Sequence, residues 1–268
     1  MTDSSLGTAL ITGASAGIGA VYADRLARRG YDLILVARDA ARLEGIAAKL
    51  GGETGRRIEV LRADLTDAGD LDAVAQRLAR DPAITLLVNN AGMSLNGNAL
   101  TSDAPAITRL IALNVNAPVI LANAAGKAFA ARGRGAIVNI ASVLALVAER
   151  FDGAYNGTKS FLLTLSKWLS AELGPKGVHV QAVLPGATRT EIWERSGQDV
   201  DALPAEMVMG VDDLVDAALA GFDQGETVTI PPLADESLYR AYEDARLAMG
   251  PHLSRRDVAD RYRTPVAA

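Results

Sequence analysis

Cysteine is absent from this chain of 268 residues, and only two histidines occur. No disulfide and no thiolate metal site can form, and two isolated histidines do not make a site either, so no metal is expected. His179 falls on an expected strand and His252 in the tail, both in structural roles. An excess of basic residues is missing too: the formal net charge is -5 and the isoelectric point is near 5.2, which leaves no electrostatic footprint for nucleic acid. Met1 to Leu6 has neither a basic segment nor an apolar one, so no signal peptide is read and the product is expected in the cytoplasm. The longest apolar stretch, Ala104 to Ala131, is broken by Arg109, Asn114, Asn116, Pro118, Asn123 and Lys127. That argues against a membrane span and for a long buried helix, apolar enough around its circumference to meet a partner subunit as well. Repeats, low-complexity runs and interdomain linkers are also lacking, and Gly51 to Gly55 reads as a surface loop.

What is present is enough apolar material for a large core. The hydrophobic share is 49% and the mean hydropathy +0.14, so one domain over residues 1-268 is expected, with 231-268 as a helical extension. Short β-branched runs at Thr8 to Thr12, Leu33 to Ala37, Ile58 to Leu61, Leu86 to Asn89, Ala136 to Ile140, Val178 to Leu184 and Thr227 to Ile230 read as strands, with helical patterns between them. Such alternation predicts an α/β fold: a largely parallel seven-stranded sheet, doubly wound in the Rossmann manner, with ligands beyond the carboxyl ends of the strands.

The first strand runs directly into Gly13-Ala14-Ser15-Ala16-Gly17-Ile18-Gly19, and a helical stretch from Ala20 to Arg29 follows, closed by Gly30. Glycine lets the backbone turn tightly and approach a ligand, while free N–H groups and the helix dipole favour phosphate. The implied ligand is a pyrophosphate, although a plain glycine-rich hairpin would share the composition. Further on, Tyr155 and Lys159 stand four positions apart, on one face of a helix. A neighbouring ammonium favours phenolate, which makes Tyr155 a candidate acid/base. By themselves the two residues would equally suit a surface helix.

Taken together, Thr12-Gly13-x-x-x-Gly17-x-Gly19, Asn89-Asn90-Ala91-Gly92, Ser142 and the Tyr155/Lys159 pair resemble the short-chain dehydrogenase/reductase family in its single-domain branch, in order and in approximate spacing. Asp64, Asn114, and Pro185-Gly186 followed by Thr188 and Thr190 extend the match. It covers about residues 6 to 230. The resemblance implies an oxidoreductase that interconverts a carbonyl and an alcohol with a nicotinamide dinucleotide. Gly13, Ser15, Gly17, Ile18, Gly19, Asn90, Ala91, Gly92, Pro185, Gly186, Thr188 and Thr190 would then hold the cofactor, together with Tyr155 and Lys159. Asp64 would accept from the adenine amino group and Leu65 line that pocket, though a bare Asp could also cap the next helix. Tyr155 would exchange the proton, and Lys159 would hold the ribose and lower the tyrosine pKa. Ser142 would orient the substrate oxygen, and Asn114 would place a water behind Lys159. Ser142 as a strand-end cap and Asn114 as a buried amide tied to backbone are the plainer readings.

Cofactor choice turns on the end of the second strand, where an NAD site carries an acidic residue for the ribose 2′-hydroxyl. Ala37 stands there, and Arg38 follows with a planar fork suited to a 2′-phosphate. NADP(H) is favoured, with NAD(H) possible because Asp39 is only slightly displaced. Met93, Leu95, the run Val143 to Val147, and Ile192, Trp193 and Met207 in the loop from Glu191 to Met209 suggest an apolar pocket for a small ketone or aldehyde. Arg150, Arg189 and Arg195 are the cations available to a carboxylate. A homodimer or homotetramer is expected. A non-catalytic NADP-binding sensor and an epimerase or dehydratase are the alternatives, the latter disfavoured by the short tail. In that tail Ala234 to Met249 reads as a helix with Leu238, Tyr242, Ala245 and Met249 in one stripe, and Ser254 to Asp257 as the start of a second. The two helices either cover a sheet edge or shape the pocket.

Overall fold

The computed structural model describes residues 6–197 and 199–263. Its strands are β1 (Thr8–Thr12), β2 (Asp32–Ala37), β3 (Ile58–Arg62), β4 (Ile84–Asn89), β5 (Gly135–Ile140), β6 (Val178–Val183) and β7 (Val228–Thr229). They form one seven-stranded sheet in the order β3-β2-β1-β4-β5-β6-β7, parallel throughout. From β1 the chain winds outward through β2 to β3, then returns to the other side of β1 with β4. That reversal opens a crevice at the carboxyl ends of β1 and β4, where such sheets bind ligands.

The period-two geometry of the strands sends alternate side chains to opposite faces. Ala9, Ile11, Leu33 and Leu35 meet α1 (Gly17–Arg28), α2 (Ala40–Thr54) and α8 (Val211–Asp223) in one buried cluster. Leu10, Ile34, Val36 and Leu87 meet α3 (Ala68–Arg80), α5 (Ala117–Arg132) and α6 (Gly153–Leu173) in the other. Aspartates cap several of these helices: Asp39 accepts from Arg42 N (3.1 Å), Asp67 from the amides of Gly69 and Asp70, and Asp103 from Ala106 N. The α1 N-terminus has no side-chain cap and no acidic residue in its first turn.

The long apolar stretch is one continuous helical run, α4 (Ala104–Ile111), a π turn (Ala112–Asn116) and α5. By length and composition it passes for a membrane span. Its inner stripe, Ala117, Leu121, Ala122, Ala125 and Phe129, instead lies in the core cluster under the sheet. The expectation of a buried helix holds for that stripe alone, because Ile111 and Ile120 face outward.

Two other expectations are corrected. Residues 51–54 are the last turn of α2, ended by Gly55 at φ +68° rather than by a loop. The tail expected as an extension is a compact unit by itself from Leu233, and in it α9 (Glu236–Met249) forms as expected, capped by Asp235, with Leu238 of its stripe 61% exposed. No helix starts at Ser254. Among the described residues only a single 3₁₀ turn follows, at Asp260–Tyr262, because residues 254–263 are rich in charge and wholly exposed, and so short a helix forms only with an apolar face to bury.

Candidate active site

The glycine turn after β1 is built by steric exclusion. Gly13 (φ +65°) and Gly17 (φ +53°) occupy the left-handed region, where side chains are strained. A Cβ on Gly19 would fall 2.3 Å from the carbonyl oxygen of Gly13, so the helix start lies directly on the turn. A Cβ on Gly17 would meet the Thr190 side chain at 3.3 Å, which brings the chain after β6 onto the same cradle. Thr12 Oγ1 braces the cradle from below, accepting from Asn90 N and Ala91 N (both 3.0 Å). Asn90 Nδ2 donates to the carbonyls of Thr12 (2.9 Å) and Gly13 (3.2 Å). The Asn90 Nδ2 group and main-chain N–H are thus both committed to bracing the turn.

At the end of β2, Arg38 is 72% exposed and lies 4.0 Å from Asp64 Oδ2. Asp64 does not cap α3, which Asp67 does. Its Oδ1 instead accepts from the amide and hydroxyl of Thr66. Partial burial pushes the Asp64 carboxyl up, but the Thr66 bonds and the Arg38 and Arg62 charges outweigh it and hold the pKa below the usual value. Leu65 is buried in the core cluster with Val36 and Val74. Asp39, the acidic residue that kept NAD open, is occupied as the α2 cap.

Tyr155 and Lys159 stand near the start of α6, whose N-terminus is capped by Asp152. That carboxylate accepts from Tyr155 N (3.0 Å) and also from Ala99 N (3.0 Å), tying the loop after β4 to the helix. Lys159 Nζ donates to the Ile140 carbonyl at the end of β5 (2.9 Å) and lies 5.6 Å from the Tyr155 ring centroid. A Cβ on Gly92 would be 3.5 Å from Lys159 Nζ and 3.4 Å from Asn114 Oδ1, so these three residues converge. Asn114 sits in the π turn, a helix irregularity frequent at functional sites. Its side chain is fully engaged: Oδ1 accepts from Met93 N (2.9 Å), and Nδ2 donates to Met93 O and Thr158 Oγ1. Ser142 is buried and accepts from Leu144 N (3.1 Å), while its hydroxyl lies 3.5 Å from the Pro185 carbonyl.

Burial corrects the electrostatics expected for this pair. It pushes the Tyr155 hydroxyl up to about 12 and the Lys159 ammonium down to about 8, each toward its neutral form. For the tyrosine, burial sets the direction of the shift, and the lowering expected from Lys159 does not offset it. A depressed lysine pKa means that the unfolded chain holds the extra proton between about 8 and the ordinary 10.5, so stability rises with pH across that window. Lys159→Met should therefore raise the melting temperature most below pH 8, with the gain fading toward pH 10.5. Thermal melts at pH 7 and 10 check this; a gain equal at both pH values would refute the assignment.

The segment after Ser142 is apolar as expected, with Val143, Ala145 and Leu146 packed against Ala141, Leu163, Ala182 and Leu184. The loop beyond β6 closes on itself, Met209 N donating to Ala187 O and Arg189 N to Met209 O. Within it lies the short helix α7 (Ile192–Arg195), where Trp193 Nε1 donates to Thr188 O (2.8 Å), and just before it Glu191 accepts from Arg42 with both oxygens at 3.0 Å. A Cβ on Gly197 would strike Asn96, so the loop also lies against the segment after β4. Arg189 is paired with Asp201, and the Arg195 side chain lies outside the described residues. Sequence reasoning missed Thr158, Asp152, Asn156 and the π turn. Only Asp152 carried a signal, an Asp three residues before Tyr155 at the head of a helical run.

The model of the short chain dehydrogenase family matches residues 7–201. The chain belongs to this family. Among solved structures, a short-chain dehydrogenase from Sphingobium yanoikuyae in complex with NADPH is 52% identical, with a TM-score of 0.94 over 96% of this chain and 100% of that one. A bulky-bulky ketone specific alcohol dehydrogenase from Comamonas testosteroni is 47% identical, with a TM-score of 0.89 over 96% and 98%. A galactitol 2-dehydrogenase (L-tagatose-forming) from Cereibacter sphaeroides is 36% identical over 69% of this chain and 72% of its own length. As a member of the family the chain is an oxidoreductase acting on CH–OH and carbonyl groups of small molecules.

Proposed function

We propose that the chain is an NADP(H)-dependent carbonyl reductase or alcohol dehydrogenase for apolar ketones, with Tyr155 as acid/base, Lys159 and Ser142 as its partners, and Asn114 as a positioning residue. The placing of Lys159 5.6 Å from the Tyr155 ring centroid and on the carbonyl of Ile140, two residues before Ser142, with the glycine cradle after β1, carries this reading. When bound, NADP(H) supplies or accepts the hydride. The residues present fit it: Gly13, Ser15, Gly17, Ile18 and Gly19 form a turn that a Cβ would fill, the α1 N-terminus is uncapped, and no carboxylate stands at position 37. Thr190 closes the cradle from the β6 side against Gly17, and Thr188, two residues before it, would hold the cofactor with it. Arg38 reaches for the 2′-phosphate, and Ala91 and Gly92 present bare backbone.

Tyr155, with its hydroxyl raised to about 12, is protonated at neutral pH, which is the form that gives a proton to a carbonyl oxygen. Ser142 holds that oxygen in line, and Lys159, in its ammonium form, meets the charge left on the phenol. Because Lys159 loses its proton as pH rises through about 8, reduction should fall off above that pH. Similarity to a bulky-bulky ketone dehydrogenase, together with the apolar segment after Ser142, supports ketones with large substituents. The outward-facing Ile111, Ile120, Phe161 and Trp168 support a homodimer or homotetramer, which light scattering would measure.

NADPH oxidation against a panel of ketones, aldehydes and sugars tests the reading. Turnover of bulky ketones is expected; tight NADPH binding without turnover of any carbonyl would turn the reading toward a sensor. Arg38→Ala should weaken NADPH binding roughly tenfold, the low end for charge-assisted bonds because the side chain is exposed, and leave NADH unaffected. Titration with both cofactors checks this, and equal losses would remove Arg38 from the 2′-phosphate.

A further inference from the structure

Phe151 has φ +67°, which makes it the one non-glycine residue in the left-handed region among the described residues. A bulky side chain rarely adopts that region, because Cβ crowds the backbone there. The surroundings hold it in place. Asn156, itself buried, donates from Nδ2 to the carbonyls of Ala148 (3.3 Å) and Arg150. Arg150 N closes a turn on Val147 O (3.2 Å), and Asp152 is fixed next door as the cap of α6. The outcome is an aromatic ring set edge-on to Tyr155, centroids 5.7 Å apart at 74°. It remains 45% exposed, and Val147 on the same loop is 40% exposed. Core packing does not account for a strained aromatic kept half in solvent.

We propose that Phe151 is a specificity-determining wall of the substrate pocket, selecting carbonyl compounds that carry an aromatic substituent. The inference rests on the reading of Tyr155 as the group that meets the substrate oxygen. A ketone whose oxygen meets Tyr155 would then have one substituent within reach of a ring whose centroid lies 5.7 Å from that of Tyr155. An aryl group gains an edge or offset contact with it, whereas a small alkyl group gains little. The left-handed backbone aims the ring at that position, and it also names the variants that test the idea, because glycine and asparagine adopt φ near +60° readily.

The test compares wild type with Phe151→Gly, Phe151→Asn and Phe151→Tyr on acetophenone and 2-butanone, and measures acetophenone affinity for the NADP⁺-loaded protein without turnover. Gly and Asn should lower the acetophenone to 2-butanone ratio of kcat/KM roughly 5–10-fold, through KM, while Tyr restores it. Melting temperatures of the Gly and Asn variants should not fall, since the strain is relieved. An unchanged ratio with unchanged acetophenone affinity overturns the proposal, as does a wild-type protein that binds no acetophenone at all. If no carbonyl is reduced but acetophenone affinity still falls on Phe151→Gly, the wall stands and the reductase reading fails.

Discussion

Tyr155→Phe should lower the turnover of a bulky ketone by at least ~100-fold, the usual contribution of a positioned acid/base, and leave NADPH affinity nearly intact. The substitution removes one hydroxyl and nothing else. The ring keeps its edge contact with Phe151 and its place beside Lys159. The helix start is held by main-chain groups, Tyr155 N on Asp152 and Tyr155 O accepting from Thr158 Oγ1. The loss should therefore appear in kcat, and single-turnover measurements with saturating NADPH would show it. In the wild type the reduction rate should decline as pH passes about 8, where Lys159 loses its charge; in the variant the residual rate should lose that dependence. Turnover close to wild type in Tyr155→Phe would remove Tyr155 from the chemistry.

Gly19→Val should weaken cofactor binding by at least about tenfold without unfolding the chain. The first atom of any side chain at this position would stand 2.3 Å from Gly13 O and 2.5 Å from Asn90 Nδ2. Neither obstacle can move freely: one is backbone, and the other is hydrogen-bonded to the carbonyls of Thr12 and Gly13. The turn must open instead, moving the α1 N-terminus away from the phosphate path. Overpacking of this kind costs about 1–3 kcal/mol, so NADPH affinity should fall roughly 10–100-fold or more. Fluorescence titration with NADPH measures the effect, and circular dichroism checks the fold. Gly157→Ala is the control, since nothing lies within 4 Å of a Cβ there; equal NADPH affinity in the two variants would defeat the steric argument.

Most of this fold was legible because its instructions are local. The β-branched runs that became β1 to β6 alternate with helical patterns, and parallel strands buried on both faces leave near-continuous apolar runs. Residues 51–54 show where local reading fails. Glycines suggested a loop, yet the helix continues through them to Gly55, because Leu43 and Leu50 anchor α2 on the core and packing outweighs propensity. Ser254 to Asp257 shows the converse, a plausible cap with no apolar face behind it.

The sequence by itself determined which chemical groups this protein can use. The glycine spacing, the Tyr155/Lys159 pair, Ser142, and the missing carboxylate at position 37 are covalent facts that no folding event alters. Only the tertiary structure decided the state of those groups. Burial sets Tyr155 near 12 and Lys159 near 8, in place of the phenolate that helical spacing alone suggested. Asn90 and Asn114 turned from free amides into braces because their partners, Thr12, Gly13, Met93 and Thr158, come from distant segments. The strained Phe151 had no trace in the chain at all. Ionisation, hydrogen-bond satisfaction and backbone strain depend on what surrounds a residue in space, and those surroundings exist only once the sheet has brought the strand ends together.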